Sequence, residues 1–184
     1  MEALLVSISV VALAEIGDKT QLLAMLLAAR HRRPLPIIFG ILVATLANHA
    51  LAAAVGAWIT EALGAHTMQM VLGIGFLAMA VWTLIPDKAE ELKPKAGWGV
   101  FGATVVAFFL IEMGDKTQIA TVALAAAYSS FGWVLCGSTL GMMLANVPAV
   151  LLGERILKRV RMSWIRAVAA AVFVLMGIAA LLSV

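Results

Sequence analysis

Charged side chains are scarce in this 184-residue sequence. They make up 12% of it, against 64% hydrophobic residues. A water-soluble domain carries about 25% charged residues, so this chain has too little polar surface for water, and its solvent is expected to be lipid. There is one cysteine, Cys136, which excludes an intrachain disulfide and a thiolate zinc cage; it falls in an apolar run and reads as packing. No H-E-x-x-H motif is present, and no serine or cysteine nucleophile has a base at a recognisable spacing, so an enzyme is not expected. No resident cofactor is expected either. The net charge of +3 comes from basic residues in short breaks between apolar runs, which signals membrane topology rather than nucleic-acid binding.

What the chain has instead is long apolar stretches, about Ala3–Ala29, Leu35–Ile59, Thr67–Ile85, Trp98–Ala127, Phe131–Leu152 and Ser163–Val184. Each can supply the roughly 20 residues a spanning helix needs, so the expected fold is an all-α membrane protein of six transmembrane helices. The first stretch has no basic lead-in and is interrupted by Glu15, Asp18 and Lys19, so it is expected to remain as a span rather than be removed as a signal. Basic residues cluster in alternate loops: Arg30, Arg32 and Arg33, then Lys88, Lys93 and Lys95, then Arg155, Lys158, Arg159, Arg161 and Arg166. Of the 13 lysines and arginines only Lys19 and Lys116 are left over. The positive-inside rule then places those loops in the cytoplasm and both termini outside.

The chain also repeats itself. Glu15-Ile16-Gly17-Asp18-Lys19-Thr20-Gln21 returns 97 residues later as Glu112-Met113-Gly114-Asp115-Lys116-Thr117-Gln118. Leu46-Ala47-Asn48 returns as Leu144-Ala145-Asn146, and Phe76 and Met79 return as Phe173 and Met176. The expected organisation is a first three-helix repeat over 1–86, a cytoplasmic linker over 87–97 and a second three-helix repeat over 98–184. Three spans per half invert the second half relative to the first, an arrangement of secondary transporters that brings equivalent segments together near mid-bilayer.

The motif carries the chemistry. Its apolar flanks are too short to span alone, so each copy lies deep in the bilayer, where ionisable groups are costly and functional by default. On a continuous helix Glu15, Asp18 and Gln21 would share one face, and Glu15–Lys19 and Glu112–Lys116 would be internal ion pairs or contacts that dock the halves. Two glutamates, two aspartates and two lysines leave a net charge of −2, which one divalent cation or two protons would neutralise. Glu15, Asp18, Glu112 and Asp115 are the candidate metal ligands, with Gln21, Gln118, Thr20 and Thr117 in support and Lys19 and Lys116 as counter-charges. Asn48 and Asn146 are candidates for a supporting ring. His49 has no counterpart, since Val147 takes the matching place. An all-oxygen set suits hard cations such as manganese, calcium and magnesium. Gly17 and Gly114 either loosen the helix and free carbonyls or let helices approach closely.

These motifs resemble the E-x-G-D-K-S/T family of small membrane proteins in the calcium:cation antiporter-two group, which includes Golgi manganese and calcium transporters and bacterial manganese exporters. The resemblance covers the whole chain. It implies a divalent-cation:proton antiporter, manganese first and calcium second, in a bacterial inner membrane, with the motif acids on the metal. The expected partners are therefore the cation, protons and the lipid bilayer. Export of a small cationic organic solute and a non-transporting assembly role stand as the alternatives; the oligomeric state is left open.

Overall fold

The computed structural model describes residues 1–85, 99–128, 130–153 and 162–182. Among these residues there are eight helices and no strand: α1 (Glu2–Glu15), α2 (Lys19–His31), α3 (Pro34–Leu63), α4 (Ala65–Leu84), α5 (Val100–Glu112), α6 (Lys116–Tyr128), α7 (Phe131–Leu152) and α8 (Met162–Leu182). The linker 87–97 with Lys88, Lys93 and Lys95, and the basic residues Arg155, Lys158, Arg159 and Arg161, lie outside the described residues.

Four of the expected spans are single helices. Pro34–Leu63, His66–Leu84, Phe131–Leu152 and Ser163–Leu182 are each long and apolar enough to cross a membrane. Pro34 opens α3 in the first turn, where its missing N–H costs nothing. Gly64, at φ 74°, ends α3 and starts α4. Leu26, Phe39, Trp58, Ile74, Trp164 and Leu175 are all more than half exposed, as side chains that face lipid would be.

The continuous helices expected over Ala3–Ala29 and Trp98–Ala127 are not formed. Each breaks at its motif, giving α1 and α2 in one case and α5 and α6 in the other. The cause is local. Ile16 (φ −63°, ψ 117°) is followed by Gly17 at φ 84°, and the Asp18 N–H donates back to the Glu15 carbonyl at 3.0 Å. That is a type II turn, whose third residue must take positive φ and is therefore glycine. Met113, Gly114 and Asp115 repeat it, with φ 78° at Gly114 and the same 3.0 Å bond from Asp115 to Glu112.

The packing is crosswise. α1 lies along α7 and α5 lies along α3, while α4 and α8 pair with each other. Gly137 and Gly141 have no side chain to hold α7 off α1: a Cβ there would fall 2.6 Å from the Leu4 or Ile8 carbonyl oxygen. Phe76 and Phe173, equivalent by the repeat, stack at 6.3 Å between α4 and α8. The buried apolar residues form two clusters. One joins α1, α6, α4 and α8 around Val11, Leu124, Phe76 and Phe173. The other joins α2, α5 and the start of α3 around Leu27, Phe108 and Ile37. The two broken helices change clusters at their breaks, so the motifs form a polar layer between two apolar ones.

Candidate metal-transport site

Each residue of the motif has a local task. The turn at x-Gly stops the first short helix and aims the glutamate inward. Asp18 is the N-cap of α2, its carboxylate accepting from the Thr20 N–H at 3.4 Å. Asp115 does the same for Thr117 at 3.5 Å. The glutamines reach back: Gln21 Oε1 accepts from the Gly17 N–H at 2.9 Å and Gln118 Oε1 from Gly114 at 2.6 Å. These are capping arrangements that satisfy amides a broken helix leaves open. The hydroxyls of Thr20 and Thr117 donate to Oε1 of Glu15 and Glu112. The shared helical face expected for Glu15, Asp18 and Gln21 is therefore corrected. The turn between the acids puts Glu15 at the end of one helix and Asp18 at the start of the next.

The ion pairs also run differently from the within-motif spacing. Lys19 Nζ lies 3.3 Å from Asp115 Oδ1, and Lys116 Nζ lies 2.9 Å from Asp18 Oδ1. Each lysine crosses to the other motif and docks the two junctions together. The pairs are not equal: the Lys116 side chain is 3% exposed, that of Lys19 18%.

With the aspartates committed to caps and lysines, the glutamates differ from them. Glu15 and Glu112 are buried, and Oε2 of each has no hydrogen-bond partner. A buried carboxylate oxygen without a partner is costly. Among the described residues no three of His, Cys, Asp and Glu gather as a ready-made cage. The donor set is the two glutamates plus amide and hydroxyl oxygens, a chemistry that suits a hard divalent cation.

The supporting residues are asymmetric. Asn146 donates to Glu15 Oε1 at 2.9 Å and to the Met142 carbonyl at 3.2 Å, and its Oδ1 has no partner. Asn48 instead donates to the Phe109 carbonyl at 3.1 Å and accepts from Gln118 Nε2 at 3.3 Å. Gln21 Nε2 donates to the Ala145 carbonyl at 3.0 Å. All twelve sequence-predicted residues thus sit at or beside the two junctions. His49 is buried with neither ring nitrogen hydrogen-bonded. Met142, which reads as packing in the sequence, accepts through its sulfur from Asn146 Nδ2 at 3.3 Å. One apolar residue among ten methionines carries no signal until α7 is placed beside α1.

Residues 3–91 and 100–184 match the family described as divalent cation/proton antiporter GDT1. Among curated proteins, the chain is 51% identical over 97% of its length to a Vibrio cholerae protein named "Putative manganese exporter", covering 90% of that protein. It is 30% identical to the GDT1-like protein sll0615 of Synechocystis, over 82% of each chain. It is 27% identical over 86% of its length to GDT1-like protein 3 of rice, covering 66% of that one. No solved structure matches.

Proposed function

The chain belongs to the GDT1 family of divalent cation/proton antiporters, transporters rather than enzymes, and from that premise we propose that it exports manganese from a bacterial cell in exchange for protons. The similarity to the Vibrio protein supports manganese as the cargo; calcium is the second cation to test. The family's activity counts against the organic-solute and assembly-factor readings.

We read the architecture as six spans in two inverted halves, 1–86 and 98–184 around the linker 87–97, in the inner membrane with both termini outside. Two of the spans are the broken pairs α1–α2 and α5–α6. The crosswise packing of α1 on α7 and α5 on α3 supports this reading, as does the alternation of basic loops.

The observation that carries the mechanism is the pair of buried, unpartnered Oε2 atoms on Glu15 and Glu112. Asp18 and Asp115 are balanced by Lys116 and Lys19, so the net −2 of the site resides on the two glutamates. One divalent cation neutralises it, and so do two protons. Glu15 and Glu112 are the primary ligands. Asn146 Oδ1 and the threonine hydroxyls support them, while Asp18, Asp115, Gln21 and Gln118 hold the junctions in shape. Because the carboxylates must lose protons before metal binds, acid on either side competes with cargo there, and cation affinity falls as pH falls. Alternate exposure of this one layer to the two sides then couples the flows.

The test is manganese flux into proteoliposomes under an imposed pH gradient, wild type against Glu112→Gln. Flux that follows the gradient and vanishes in the variant is the expected result. Flux indifferent to the gradient, or unchanged in the variant, would overturn this mechanism.

A further inference from the structure

The helix pair α4–α8 leans to one side of the motif layer. Within the pair, Phe76 stacks on its own repeat counterpart Phe173 at 6.3 Å, and Gly73 and Gly177 bring the two backbones together. Its contacts with the rest of the bundle are one-sided. α4 packs on α6, and α8 packs on α1. Leu72 and Phe76 share a crevice with Ala127 and Tyr128, and Val172 and Met176 share another with Leu5 and Val6. α1 begins and α6 ends on the side of both termini, outside in the topology above. There the Tyr128 hydroxyl also donates to Glu2 Oε1 at 3.5 Å.

Exchanging the two halves of the repeat turns these contacts into α8 on α2 and α4 on α5. Among the described residues neither of those pairs packs in this way. Gly75 and Gly102 are the counterparts of Val172 and Leu5, and a Cβ on either would meet nothing within 4 Å. Gly99 stands where Glu2 does and has no side chain to accept a bond. The same lean accounts for the unequal lysines. Lys116, 3% exposed, opens α6, which α4 covers; Lys19, 18% exposed, opens α2, on which α8 does not pack.

Resting on the inverted-repeat reading above, we propose that α4 and α8 are a rocking pair. Leaning on α1 and α6, they close the motif layer to the outside; swung onto α5 and α2, they open it outward and close it to the cytoplasm. In an inverted repeat the two end states are related by exchanging the halves, so the second set of contacts follows from the first. The Phe76–Phe173 stack joins two equivalent residues, so it persists through the exchange and serves as the pivot. Gly75, Gly102, Ala103 and Ala107 are small, which lets α4 approach α5 closely.

The experiment uses proteoliposomes and a short thiol crosslinker that reductant reverses, in a Cys136→Ala background because Cys136 is exposed. Two cysteine pairs report the present contacts: Val6→Cys with Met176→Cys, and Leu72→Cys with Ala127→Cys. The second serves if the first does not fold. A third pair, Ala103→Cys with Met79→Cys, is the exchanged counterpart of the first. Manganese flux before crosslinking shows that each variant is folded. All three pairs are expected to crosslink in protein that is cycling manganese. Each crosslink should stop the flux, reductant should restore it, and single-cysteine variants should be unaffected. Crosslinked outer pairs that transport at the wild-type rate overturn the proposal, and so does a third pair that stays uncrosslinked while flux runs. Wild-type protein that moves no manganese would sink the antiporter reading instead. Crosslinking of the third pair would then still decide whether the two helices swing.

Discussion

The two motif junctions have the same polar sequence and different surroundings. At the first, Glu15 is held by Thr20 and by Asn146 from the other half of the chain. At the second, Glu112 is held by Thr117, and Asn48 turns away to the Phe109 carbonyl and Gln118. The ion pairs differ in the same sense, since Lys116 is fully enclosed and Lys19 partly reached by solvent. The lesson is that a seven-residue motif shapes its own turn and caps. What its carboxylate meets depends on the neighbouring helix, and here the two neighbours are not the same.

The largest expected effect tests what the junctions share. Glu15→Gln and Glu112→Gln should each reduce manganese flux by about a hundredfold or more, beyond the range for loss of a supporting group, with the protein still folded in detergent. A variant transporting at wild-type rate would remove that glutamate from the site.

The next test separates the junctions by stability. Lys116→Ala removes the ammonium group from Asp18 in an enclosed ion pair and should cost about 3–5 kcal/mol, the range for breaking a buried ion pair. Lys19→Ala should cost clearly less, because solvent reaches its side chain and screens the loss. Thermal midpoints in one detergent decide it. Equal losses would mean that the difference in enclosure does not matter, and a stable but inactive Lys19→Ala would give that lysine a part in transport.

Asn146→Ala and Asn48→Ala sharpen the contrast in function. The first should raise the manganese KM by about tenfold. The second should leave transport near wild type and cost about 1 kcal/mol of stability, the worth of its hydrogen bonds. Identical kinetic losses would make the two junctions equivalent.

The last test concerns the turns. Gly17→Ala and Gly114→Ala should each cost about 1–2 kcal/mol, the penalty for a side chain in the left-handed region, and the losses should be similar because the two φ angles, 84° and 78°, are similar. A gain in stability would mean that the helix runs straight through in the variant.

Much of the site was legible in the chain. The positions of the acids, lysines, threonines and glutamines follow from the duplicated motif, and four helices follow from apolar length. The breaks at Gly17 and Gly114 were visible only as an alternative. A glycine in an apolar run can serve close packing or positive φ, and the sequence pattern does not distinguish them. The exchange of lysine partners was not visible at all. Spacing of i and i+4 favours Glu15–Lys19 on one helix, but once the turn separates them Asp115 is the neighbour Lys19 reaches.

By itself the sequence determined a helical chain too apolar for water, carrying two copies of one ionisable motif that place it in a divalent-cation antiporter family. Those are consequences of composition and of residues close together in the chain. Only the tertiary structure decided which carboxylates are neutralised by lysine and which are left with an unpartnered oxygen, and that Asn146 stands beside Glu15. These contacts join residues about a hundred positions apart. They depend on how α7 packs on α1 and on how the two junctions dock, for which local propensity carries no information.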